Sequence, residues 1–181
     1  PRVRKGYNGS GMATGIGYAV PEGSLPFWSD RFKQFNVKHD EVAERFGEKY
    51  LHFEDPDGLK MDLIVPEKED ERKAWKTAEV NDAVATKRFH SVTLTVKNIT
   101  PTVSVLTDIF GYQLLKQEGN RYRFITDAVD NASVVDIIEA PHLAVGLNAG
   151  GTNHHVAFRV KDESILMDYR EKVLSKGLDI T

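Results

Sequence analysis

At 181 residues, with 40% hydrophobic and 9% aromatic side chains, the chain has an ordinary globular composition and enough length for one sizeable domain or two small ones. Its 24 basic and 27 acidic residues are mixed along the chain and give a formal charge of -3, which excludes the footprint of a nucleic-acid or anionic-membrane binder and points to a small-molecule partner. No cysteine occurs, so disulfides, thiolate metal sites and a cysteine nucleophile are excluded; with no signal peptide and no long apolar run, the expected location is cytoplasmic.

Residues 1–11, PRVRKGYNGSG, read as a connector, and a first residue that is proline rather than methionine suggests a processed chain or a piece of a longer one. A first unit follows over residues 12–66. Its opening segment GIGYAV (15–20) has apolar side chains at every second place, Ile16, Tyr18 and Val20, which is strand periodicity. Ser24 and Pro26 mark a helix start. The run KYLHFEDPDGLKMDLIV then holds a turn at Asp55, Pro56, Asp57 and Gly58 between strands, and the last strand carries one carboxylate, Asp62.

Residues 67–88 are densely charged and predict an exposed linker, partly helical around Trp75. The second unit, 89–140, repeats the first. SVTLTV (91–96) is its opening strand, Thr100 and Pro101 begin a helix that Gly111 ends, and RYRFIT and ASVVDII supply later strands, the last with Asp136.

Residues 141–181 hold a glycine-rich connection and a third copy that stops after its helix. Its opening strand is HVAFRV (155–160), and its helix runs roughly from Asp162 or Ser164 through Leu174, stopping near Gly177. The fold class is therefore α+β, with repeated βαβββ units forming curved mixed sheets around a cavity.

The non-apolar strand face supports the cavity. It carries Gly15, Gly17 and Ala19, then Ser91, Thr93 and Thr95, then His155, Ala157 and Arg159, where a solvated face would carry long charged side chains. A histidine at the mouth of such a face, with a carboxylate on the closing strand, offers ligand types for divalent iron, manganese or zinc. His155 stands where the other copies have glycine and serine, so the fold itself does not demand an imidazole there. His154 falls on the opposite face of a regular strand, and structural and functional readings stay open for it. Asp62 and Asp136 lack a histidine at their own strand heads, and a metal role is the lesser reading. His39, His52, His90 and His142 read as surface or packing residues.

The phrases PEGSLPFW, FEDPDGLKMDL, RFHSVTLTV, EGNRYRF and GTNHHVAFRV resemble the vicinal oxygen chelate superfamily of glyoxalase I, bleomycin and fosfomycin resistance proteins and extradiol dioxygenases. They are most similar to its subgroup of hydroquinone-type ring-cleaving dioxygenases, whose chains carry four such units. The resemblance covers nearly the whole chain. It implies an Fe(II) site of two histidines and one carboxylate, with His155 as a metal ligand and His154 as a catalytic group beside the substrate hydroxyl. It also implies that the remaining ligands lie outside residues 1–181, so that this chain alone is inactive.

The implied partners are a small aromatic substrate and O2, with no nucleic acid and no membrane, and a homo-oligomer is possible. A glyoxalase-type isomerase or thiol transferase using a divalent ion, and a non-enzymatic small-molecule binding module, remain as alternatives.

Overall fold

The computed structural model describes residues 4–129 and 132–179. The first unit consists of β1 (Met12–Ala19), α1 (Leu25–Gln34), β2 (Ala43–Arg45), β3 (Glu48–Glu54) and β4 (Lys60–Ile64). Pro26 sits in the first turn of α1, where its missing N–H costs no bond. Ser24 occupies the N-cap place but does not cap, since its hydroxyl donates to the Pro21 carbonyl at 2.6 Å. The β2–β3 connection is two residues long, with φ of 58 at Phe46 and 82 at Gly47, the double positive φ that suits the twist of a tight hairpin. The turn read from Asp55 to Gly58 is present: the Asp55 side chain accepts from the Asp57 and Leu59 amides, and Gly58 donates to the Asp55 carbonyl.

The second unit repeats this order with β5 (Phe89–Val96), α2 (Ile99–Ser104), β6 (Gln113–Glu118), β7 (Arg121–Ile125) and β8 (Val134–Glu139). Asn98, rather than Thr100, caps α2 by accepting from the Thr100 amide. The helix then widens into a π turn over Val105–Ile109 and ends at Gly111 with φ 71. The last helix, α3 (Glu163–Ser175), is capped by Asp162 and followed by Gly177 with φ 71.

The eight strands of the described residues form one sheet in the order β2-β3-β4-β1-β5-β8-β7-β6. Within each unit the opening strand pairs parallel with the closing one, β1 with β4 and β5 with β8. The units meet at the centre, where β1 and β5 pair antiparallel. In a flat sheet the edge strands β2 and β6 would stand about 34 Å apart, seven strand spacings. Instead the Phe46 amide at the β2 end donates to Glu118 on β6 at 2.7 Å, and Lys116 donates to the Phe46 carbonyl at 3.0 Å. The sheet therefore curls until its two edges touch.

Two apolar cores lie on the helix side, one per unit. The first gathers Val20, Leu25, Phe32, Leu51 and Leu63, and the second Leu106, Tyr112, Phe124, Val135 and Ile137. Each such side chain contributes roughly 1.5–3 kcal/mol by leaving water.

Two expectations are corrected. Residues 67–88 contain no helix, and Trp75 is 80% exposed. The segment is instead strapped to the first unit, since Trp28 Nε1 donates to the Val84 carbonyl at 2.8 Å and Ala19 exchanges backbone bonds with residues 87 and 88. The second correction concerns HVAFRV, which forms no strand: residues 154–161 make no backbone hydrogen bond with any described residue. In the complete units an opening strand is flanked by its own unit's closing strand and by the other unit's opening strand; β1 and β5 are already flanked in that way, and no strand follows α3 among the described residues.

Residues 4–10 and 144–150 of the two connectors also find each other. Gly6 donates to Gly150, Tyr7 and Leu147 exchange bonds, and Ser10 donates to Ala144. A Cβ on Gly9 would lie 2.4 Å from the Gly146 nitrogen, so this approach requires glycine.

Candidate functional site

The small and polar strand positions line the inside of the curl, as their pattern predicts, yet the space they leave over these two units is filled. Ser91, Thr93 and Thr95 are buried, and Asp136 is fully so. Asp136 accepts from Arg123 Nε at 2.8 Å, Arg123 Nη2 at 3.1 Å and Arg121 Nη1 at 3.1 Å. Arg123 also donates to Glu48, across the curl from β7 to β3. Glu48 in turn meets His90 Nε2 at 3.2 Å. On the first unit Asp62 accepts from Arg45 Nη2 at 2.8 Å and contacts His52 Nδ1 at 2.7 Å, and Arg45 Nε lies 4.0 Å from Asp136. One connected ion network thus runs from β2 to β8.

Its electrostatics are those of a structural pairing. Burial alone would raise the Glu48 carboxyl, but hydrogen bonds and charge from His90 and Arg123 outweigh it and hold the group at about 2. Burial likewise opposes ionisation of Asp62, and His52 and Arg45 overcome it, so its pKa is lowered. Arg123 is desolvated too, yet Asp136 and Glu48 raise it. Arg121 is lowered, by burial first and then by repulsion from Arg45.

Asp62 and Asp136 are therefore neutralised by arginines. His52 and His90, read above as packing residues, are carboxylate partners. Sequence reasoning missed Arg45, Glu48, Arg121 and Arg123. A signal existed: Arg121 and Arg123 alternate along RYRFI, which puts both on the face opposite Phe124 and beside the Asp136 position.

His154 and His155 lie elsewhere, on the unpaired segment before α3. Both are exposed. Asn153 pins the segment by donating from Nδ2 to the Ala13 carbonyl at 3.2 Å. Phe158 anchors its other end, stacked on Phe110 at 4.9 Å. Because no regular strand forms, the two imidazoles are not on opposite faces: their Nδ1 atoms are 3.1 Å apart and their rings stand at 86°. One Nδ1 must donate and the other accept, so a neutral ring that donates keeps an Nε2 lone pair free, the form in which histidine takes a metal.

His155 borders a cavity of 390 Å³ walled by Ser91, Phe110, Tyr112, Phe158 and Tyr169. Both histidines border a second, more open hollow with Met12, Leu94 and Asn148.

Among the described residues no group of three or more histidine and carboxylate side chains converges on a point where a metal could sit. The pair offers imidazoles and no acid. The described residues therefore do not by themselves make up a two-histidine, one-carboxylate set. No helix of the described residues is long and apolar enough to cross a membrane.

No family model matches the chain. Individual proteins do. MhqO of Bacillus subtilis, named a ring-cleaving dioxygenase, is 35% identical over 179 residues, which is 99% of this chain and 56% of that protein. The chlorohydroquinone/hydroquinone 1,2-dioxygenase of Sphingobium indicum is 31% identical over 160 residues, 87% of this chain and 50% of that one. A crystal structure of a Bacillus subtilis protein named as a dioxygenase superposes with a TM-score of 0.90 at 34% identity, covering 99% of this chain and 56% of that chain. The chain spans about half the length of the relatives it matches. With paired βαβββ units in one curled sheet and this identity along nearly all of its length, the chain is homologous, over about half of their length, to these proteins named as ring-cleaving dioxygenases.

Proposed function

We propose that this chain is part of an Fe(II)-dependent ring-cleaving dioxygenase acting on dihydroxylated aromatics of the hydroquinone or catechol type. His155 is the metal ligand that this chain supplies, and His154 is the catalytic group beside the substrate hydroxyl. The remaining ligands come from outside residues 1–181, and the chain alone is inactive. The observation that carries the reading is the exposed histidine pair, which has no carboxylate partner among the described residues, while Asp62, Asp136 and Glu48 are all matched by arginines. The dioxygenase names of the relatives support the reaction class.

Iron, when bound, would supply the coordination chemistry that joins the aromatic to O2. What this chain contributes is narrower. The 3.1 Å contact lets one imidazole fix the tautomer of the other, and a histidine within reach of the substrate hydroxyl can take and return its proton.

The test has two arms: anaerobic Fe(II) titration with the metal counted per chain, and O2 uptake with hydroquinone. This chain alone is expected to hold iron at well below one per chain and to consume no O2. In a protein spanning the full length of the relatives, His155→Ala is expected to remove iron and turnover together. His154→Ala should keep the iron and lose about 100-fold or more in rate. Iron and O2 uptake that survive His155→Ala would overturn the assignment.

A further inference from the structure

Two imidazoles that touch Nδ1 to Nδ1 need their backbone held in place, and the nearest tie to the sheet is the residue before them. Asn153 is half-buried, and its Nδ2 donates to the Ala13 carbonyl at 3.2 Å, across 140 residues of sequence. Ala13 is a firm anchor: it is buried and lies on β1, at the centre of the sheet. The register of β1 against β5 shifts between Ala13 and Gly15, which makes Thr14 an extra residue in the strand, with its hydroxyl 2.7 Å from that of Thr95. Such a bulge disrupts the ladder locally, and Asn153 reaches the sheet at that point.

The neighbouring contacts do not supply the same tie. The amide and hydroxyl of Thr152 bond to Ala149, within the same loop. Beyond the pair, the next anchor is Phe158 on Phe110. His154 and His155 therefore take their place from Asn153. At 3.1 Å one Nδ1 must donate to the other, which requires opposite tautomers: Nδ1–H on the donor ring and Nε2–H on the acceptor.

We infer that Asn153 is a positioning residue: its amide, anchored on Ala13, holds the segment so that the two imidazoles meet and keep complementary tautomers. Its use to the site rests on the reading of His155 as a metal ligand, for which His155 must be the donor, with Nδ1 protonated and Nε2 free.

Long-range proton–nitrogen NMR of the imidazoles in this chain, with both rings neutral, reads the tautomers directly. The expected spectrum has His155 as Nδ1–H and His154 as Nε2–H. In Asn153→Ala both rings should turn to the Nε2–H form that free histidine prefers, with an unchanged circular dichroism spectrum. Thr152→Ala, which removes only the hydroxyl bonds inside the loop, should leave the opposite tautomers as they are. Like tautomers in the unsubstituted chain, opposite tautomers that persist in Asn153→Ala, or an equal change in Thr152→Ala would each overturn the assignment. Opposite tautomers with His154 as the donor, lost in Asn153→Ala, would support the role of Asn153 and count against His155 as the metal ligand. In a protein spanning the full length of the relatives, Asn153→Ala should weaken Fe(II) binding about 10-fold or more, the scale on which groups that orient a ligating histidine act. Unchanged affinity there would overturn the use of the contact at the site.

Discussion

The first two units and the third begin with the same six-residue pattern and finish in opposite states. β1 and β5 each gain a parallel partner from their own unit and an antiparallel one from each other, and the charges inside their curl are all matched. The third segment has its apolar face seated, its backbone without a ladder partner among the described residues, and its two histidines exposed. The difference teaches that alternation writes a potential strand and that only a neighbour makes it one. It also separates two uses of polar residues: arginine–carboxylate pairs fill and fix the first region, while the second keeps polar groups uncommitted.

The largest expected effect comes from breaking the filled region. Arg123→Ala leaves Glu48 and Asp136 facing each other's surroundings without their shared cation, and is expected to cost about 3–5 kcal/mol in urea unfolding. A loss below 1 kcal/mol would mean the network does not hold the curl closed. Ile137→Ala, fully buried in the second core, should cost about 2–5 kcal/mol by the same measurement.

Acid probes the same network more gently. His90 and Arg123 hold the Glu48 carboxyl at about 2, below the usual 4.5, so its contribution is complete above pH 4.5 and is lost as pH falls from there through 2. The size is on the order of 3 kcal/mol. Glu48→Gln should flatten this part of the stability–pH curve, and an unchanged slope would remove Glu48 from the account.

At the small end, His155→Ala should shift unfolding by no more than about 0.5 kcal/mol, since the side chain is exposed and its recorded hydrogen bond is to His154. A large loss there would make the histidine structural and collapse the contrast between the two regions.

Much of the architecture was legible beforehand because its causes are local. The period of two in GIGYAV and SVTLTV, the turn chemistry of Asp55 to Gly58, and the stops at Gly111 and Gly177 act over a few residues each. His155 could be singled out for a similar reason: an imidazole stands where the aligned copies have Gly15 and Ser91. The helix expected around Trp75 did not form: the Trp75 amide donates to the Thr86 carbonyl and the Thr77 amide to Val80, while the end of the linker is tied to α1 at Val84 and to β1 at residues 87 and 88.

The sequence by itself determined the repeated βαβββ units, the absence of thiol chemistry, and which residues alternate on each strand face. Tertiary structure alone decided what occupies the inside of the curl, because Glu48 and Arg123 are 75 residues apart and meet only once the sheet bends its edges together. It also decided that His154 and His155 touch and that HVAFRV remains without a ladder. Hydrogen-bond partners across a sheet are set by which edges are free, and no local pattern encodes that.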